Sequence, residues 1–174
     1  LPLSVAGFFL VGSRGHHRLA VAWLAGASLF FYGWWNPAYV WLILASIGVN
    51  YTLGLGLGSR PSQGGLLRRF LLTLGITFNL GLLGYYKYSN FFVDTACSLG
   101  GGTSHLAEIT LPLAISFFTF QQIAFLVDTY KGHARVYDLL HYCLFVTFFP
   151  QLIAGPIVHH REMMPQFMRR SFLR

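Results

Sequence analysis

Residues 19–59, LAVAWLAGASLFFYGWWNPAYVWLILASIGVNYTLGLGLGS, contain no Asp, Glu, Lys, Arg or His. One membrane crossing takes about 20 apolar residues, so a run of this length has to turn back on itself. Asn36-Pro37 marks the place: proline ends a helix, and Asn-Pro favours a turn. The reading is two apolar helices, 19–35 and 38–58, joined by a tight bend. Trp34, Trp35, Tyr39 and Trp41 crowd that bend, where amphipathic rings settle between hydrocarbon and water.

The pattern extends to both ends of the chain. Residues 1–12 read as the tail of an earlier span, with no small-residue cleavage site of the kind that follows a signal peptide. Further spans are expected at 70–93, 109–127 and 139–158, the last broken by prolines. The intervening 94–108, with Gly100, Gly101 and Gly102, reads as a flexible, exposed loop. The fold class is therefore all-α: a polytopic integral membrane protein of five to six transmembrane or re-entrant helices, forming a single transmembrane domain over residues 1–174. Composition agrees. Charged residues make up 10% and hydrophobic ones 55% of the 174 residues, against about 25% charged in soluble domains. The chain opens on Leu1 and stops at Arg174 inside a basic stretch, which reads as a piece of a longer protein, cut at both ends. Without its neighbouring helices such a piece is expected to be unstable alone.

The net charge of +7 does not point to nucleic acid, because the basic residues form short clusters between apolar spans and offer no basic face. Loops 13–18, 59–69 and 128–138 hold the arginines and lysines and are expected on the cytoplasmic side, with the Asn36-Pro37 bend and 94–108 outside. A full crossing at 139–158 would place Arg161, Arg169 and Arg170 outside. Either that segment enters and returns, which its proline breaks favour, or the tail is an interfacial helix. Cys97 and Cys143 fall in a loop and a span, a poor geometry for a disulfide.

Residues 148–167, FFPQLIAGPIVHHREMMPQF, are the most informative for function. Pro150 and Pro156 interrupt an apolar run, with Gly155 between them, and polar residues follow. Broken helices at membrane depth are tolerated only where protein or a water-filled cavity satisfies the freed backbone groups. Among uncharged polar residues in apolar spans, Asn50, Gln121 and Gln122 read either as interhelical glue or, for the glutamines, as tunnel lining. Adjacent helical positions point about 100° apart, so one glutamine of the pair is expected to face a given cavity. Lys87 reads as a snorkelling anchor near the outer end of its span or as a contact in a polar cavity. Asp128 reads as the partner of Lys131. The adjacent pairs His16-His17 and His159-His160 lack the i, i+4 spacing of helical metal sites, so no metal is expected. His159 or His160, after the proline break, is placed to face an aqueous cavity, where histidine serves as a base. Gly54, Gly56 and Gly58 read as close packing or a fraying helix end. There is no nucleophile elbow, Walker loop or dinucleotide fingerprint.

Four stretches together carry a family resemblance: FFYGWWNPAYVWLILASIGVNYTLGLGL (30–57), LGYYKYSNFF (83–92), LPLAISFFTFQQIAFLVDTYKG (111–132) and FFPQLIAGPIVHHREMMPQF (148–167). In content and order they resemble the membrane-bound O-acyltransferase family in its alginate O-acetyltransferase, AlgI-like branch. The likeness covers nearly the whole chain and implies that it is the N-terminal portion of such a protein. The His159-His160 pair departs from the more basic or aromatic pair expected in many relatives. The resemblance implies a helical ring around a thin floor with a tunnel. It implies transfer of an acetyl or other acyl group to hydroxyls of an exported polysaccharide such as alginate. The donor is then acetyl-coenzyme A or another acyl thioester, with no bound cofactor. The implied setting is the bacterial inner (plasma) membrane, with membrane lipid, a polysaccharide acceptor and periplasmic acetylation partners. The family's presumed base is a histidine near a Trp-His-Gly-type motif downstream, so no catalytic residue is expected in these residues. Those left to line or shape the tunnel are Gln121, Gln122, Pro150, Gln151, Gly155, Pro156 and His159. A transporter component or a non-catalytic membrane scaffold is the competing reading. A transporter of broken helices calls for inverted repeats, and none is visible.

Overall fold

The computed structural model describes residues 2–13, 17–59, 65–100, 110–133 and 138–148. They form six helices: α1 (Pro2–Ser13), α2 (His17–Trp35), α3 (Pro37–Gly58), α4 (Leu66–Gly100), α5 (Ile115–Tyr130) and α6 (Leu139–Thr147). No strand occurs among the described residues. Two helical stretches, Pro37–Gly58 and Leu66–Leu99, are long and apolar enough to cross a membrane.

The bend between α2 and α3 falls where the sequence places it. Asn36 is extended (φ −157°), and its side chain accepts a hydrogen bond from the Ala38 N–H at 3.0 Å. Pro37 occupies the first helical position, where its missing N–H is not needed. Two other boundaries differ from expectation. Helix α4 does not stop near residue 93 but runs on to Gly100, so 94–100 is helical, not loop. Thr95 and Ser98 return their hydroxyls to the carbonyls of Phe91 and Thr95, which satisfies these polar groups without leaving the helix. Lys87 consequently lies within α4 and not near its end; it is exposed, with its ammonium 5.6 Å from the Tyr88 ring centre. Helix α5 begins at Ile115, not 109, because Pro112 lies in the entry turn and Ala114 adopts a left-handed conformation (φ 56°). Its far end closes on Gly132 (φ 71°), with Gly132 N–H bonded to Thr129 O and His133 N–H to Asp128 O. That paired pattern needs a left-handed residue, which glycine adopts without a Cβ penalty.

Neighbouring helices run antiparallel. Trp23 donates to Ser4 O between α2 and α1, and Gly56 lies against Leu71 between α3 and α4. Helices α3 and α5 run parallel, and α3 packs against α2, α4, α5 and α6. The close approaches are glycine contacts. A Cβ on Gly54 would stand 2.6 Å from the Phe125 ring, and one on Gly75 would stand 2.5 Å from Leu126 Cδ1. Close packing is thus the role of Gly54. The main core gathers Ile43, Ile47, Leu57, Phe118, Phe125, Leu126, Tyr142 and Phe145; a smaller one joins Val21, Leu24 and Ala25 to Leu144.

Many large apolar side chains also face outward. Trp34 (81% exposed), Trp41, Leu66 (87%), Phe91, Phe92 and Leu99 all face outward. Exposed apolar surface on this scale marks contact with lipid or with further protein.

Candidate functional site

A set of polar residues lies inside. Ser46 and Asn50 sit one turn apart on the buried stripe of α3, Asn79 on α4 and Gln122 on α5, and all four are at most 1% exposed. The network can be traced from fixed ends. Asn79 Nδ2 donates to the Gly75 carbonyl at 2.7 Å, and Asn50 Nδ2 donates to the Ser46 carbonyl at 2.9 Å. Carbonyls only accept, so both amides are oriented. Asn79 Nδ2 then donates to Asn50 Oδ1 at 2.6 Å. Asn50 Nδ2 also donates to Gln122 Oε1, and the Ser46 hydroxyl donates to the same oxygen at 2.7 Å. Three helices are tied together by neutral side chains. Each such bond contributes roughly 0.5–1.5 kcal/mol net, and losing one partner costs more because the other is left dry.

Not every buried group is satisfied. Gln122 Nε2, both amide atoms of Gln121, the Thr119 hydroxyl and the Tyr142 hydroxyl find no partner among the described residues. Gln121 and Thr119 are as buried as Gln122. The rings of Tyr51 and Tyr142 meet at a tilt, 5.6 Å apart, and Tyr142 lies 4.5 Å from the Phe125 ring centre.

Two charged contacts lie at one end. Arg68 donates to the Tyr130 carbonyl at 2.8 Å and lies over the Tyr130 ring, a cation at the C-terminus of α5 where the helix dipole favours it. Arg18 pairs with Asp138 at 2.6 Å, both exposed. The Arg18 hydrogen bond holds the Asp138 carboxyl below its usual value. An open groove of about 710 Å³ lined by Leu66, Leu67, Arg69, Phe70 and Thr73 runs along the first turns of α4, not at the amide cluster.

Of the residues singled out from the sequence, Asn50 and Gln122 meet in the network, whereas Gln121 is buried beside it without joining it. Pro150, Gln151, Gly155, Pro156 and His159 lie outside the described residues. Ser46, Asn79 and Thr119 were missed. The signal that marks Asn50, a polar residue inside an apolar span, marks them equally. With neutral amides and hydroxyls, this cluster can position and hydrogen-bond a ligand; among the described residues no ionisable side chain joins it.

No protein-family model matches the chain, and no solved structure matches it. Three relatives align over 98% of it. The peptidoglycan O-acetyltransferase of Helicobacter pylori is 40% identical. The probable alginate O-acetylases AlgI of Pseudomonas aeruginosa and Azotobacter vinelandii are 34% and 35% identical. The chain spans about a third of the length of these relatives, 37%, 33% and 34% respectively. Over nearly every residue, and in agreement with the signature stretches read from the sequence, the chain is similar to proteins named peptidoglycan O-acetyltransferase and probable alginate O-acetylase AlgI.

Proposed function

We propose that this chain is part of an enzyme that transfers an acetyl group from an acyl thioester to hydroxyls of an exported polysaccharide. The single observation that carries the reading is the alignment of 98% of the chain with proteins named for O-acetyl transfer. The structure adds a physical rationale. An apolar exterior around a neutral polar interior suits a membrane domain that carries a substrate path. The finer reading is a polytopic domain of five to six spanning or re-entrant helices in the bacterial inner membrane, with the basic loops cytoplasmic. The gathering of Arg18 with Asp138 and of Arg68 with Tyr130 at helix ends supports that orientation.

In transfer, a base takes the acceptor hydroxyl proton as the oxygen attacks the thioester carbonyl; the C–S bond then breaks, the ester is released, and the departing thiolate takes up the proton. Excluding water from the path protects the donor from hydrolysis. In this reading Gln121 and Gln122 line the path, and Pro150, Gln151, Gly155, Pro156 and His159 shape it. The family resemblance places the base outside these residues. Acetyl-coenzyme A is the first donor to try, and periplasmic acetylation proteins are the expected partners.

The test is genetic and chemical. Deleting the gene should remove ester-linked acetate from an alginate-like polysaccharide or from peptidoglycan, the polymers that appear in the relatives' names, and the full-length gene should restore it. Gln151→Ala in the full-length protein should lower transfer at unchanged protein level. Unaltered acetate after deletion would refute the enzyme and leave the scaffold reading.

A further inference from the structure

The amide network does more than bind three helices together: it decides which end of Gln122 is free. Asn50 is oriented by the Ser46 carbonyl, so its Nδ2 faces Gln122 and requires an acceptor there. The Ser46 hydroxyl donates to the same oxygen. Gln122 Oε1 is thereby held inside the network, and Nε2, with two hydrogens, has to point away from it. That nitrogen is fully buried and has no acceptor among the described residues. Thr119 stands three residues earlier on α5, on the same side of the helix, with a buried hydroxyl equally unused. Buried donors are rarely left unpaired, and each one costs about as much as a lost hydrogen bond. Neither donor is charged and no ionised side chain joins the network, so the fitting ligand atom is a neutral acceptor oxygen, not a phosphate.

We propose that Gln122 Nε2, with the Thr119 hydroxyl, is a donor site for the carbonyl oxygen of the acyl thioester. Ser46, Asn50 and Asn79 are positioning residues that keep the glutamine in the donating orientation. The proposal rests on the acyl-transfer reading above and assigns its donor-recognition residues. Donors fixed before the substrate arrives also match the oxygen as it gains charge during attack.

The test compares acetyl-coenzyme A with S-ethyl-coenzyme A, in which a methylene replaces the carbonyl, in membranes carrying the full-length protein. Acetyl transfer to polysaccharide is measured, together with displacement of labelled acetyl-coenzyme A by each compound. Wild type should bind the acetyl compound about tenfold more tightly than the ethyl one, the worth of one good hydrogen bond. Gln122→Met should remove most of that preference and lower the transfer rate. Thr119→Val leaves the network untouched and should reduce the preference at unchanged protein level, so it decides the matter if Gln122→Met fails to accumulate. A purely structural role would change protein level and leave the preference intact. An active wild type with no preference, or variants that keep the wild-type ratio, would overturn the site. A wild type that transfers no acetyl at all would instead remove the acyl-transfer reading, and this proposal with it.

Discussion

Asn50 on α3 and Asn79 on α4 are joined by one short hydrogen bond: Asn79 Nδ2 donates to Asn50 Oδ1 at 2.6 Å, while Asn50 Nδ2 gives its two hydrogens to Ser46 O and Gln122 Oε1. Both side chains are fully buried. Neither has water to fall back on, so removing one strands the other. Asn50→Leu or Asn79→Leu alone should each destabilise the protein by about 1–3 kcal/mol, while the double variant should lose less than the sum. A double-mutant cycle on unfolding in detergent reads this directly. Additive losses would mean that the two amides do not interact.

The glycines divide into two groups that should respond oppositely to alanine. A methyl on Gly75 would collide with Leu126, and one on Gly54 with Phe125. Overpacking of this kind costs about 1–3 kcal/mol. Nothing lies within 4 Å of a methyl at Gly26 or Gly81, and alanine gains up to about 1 kcal/mol of helix propensity there. Thermal unfolding of the four variants in one detergent should therefore rank Gly54→Ala and Gly75→Ala below wild type, and Gly26→Ala and Gly81→Ala at or above it.

The α2–α3 hairpin was legible because its signals are local: Asn36 caps and Pro37 starts within adjacent residues. The length of α4 was not. Asp94 and the glycines from 100 onward read as loop, yet Thr95 and Ser98 bond to their own helix and the helix continues through them. The start of α5 depends on the backbone turn at Pro112 and Ala114, which hydrophobicity does not report. For the amide cluster, the sequence offered Asn50 and Gln122 but no way to pair them. Their meeting depends on the parallel packing of α3 and α5, which are separated in sequence by all of α4. Asn79, the third helix's contribution, carries the same mark as Asn50, a polar residue inside an apolar run, but nothing local to it says which residues it meets.

Arg18 and Asp138 join α2 to the start of α6 at the surface. The pair is exposed, so solvent screens it and its worth is below about 1 kcal/mol. Because the Asp138 carboxyl titrates below its usual range in the folded protein, the contribution is complete at neutral pH, above the unfolded value. It is lost as pH falls through the folded value. The small stability difference between wild type and Arg18→Ala should accordingly be present at pH 7, shrink in raised salt, and vanish in strong acid. A difference that grew on acidification would contradict the pairing.

Orientation in the membrane can be read from two exposed positions at opposite ends of the bundle. Leu99 lies at the far end of α4, a helix whose 35 residues extend about 52 Å at 1.5 Å per residue. That exceeds a hydrocarbon core of about 30 Å. Lys131 lies in the turn after α5, beside Tyr130, whose carbonyl takes Arg68 from the start of α4. With Cys97 and Cys143 replaced by alanine in the full-length protein, Leu99→Cys should react with a membrane-impermeant maleimide in spheroplasts. Lys131→Cys should react only after lysis, because the proposed orientation puts the basic loops on the cytoplasmic side. The reverse pattern would invert the topology. Labelling of both positions before lysis would mean that α4 and α5 do not separate the two ends across a bilayer.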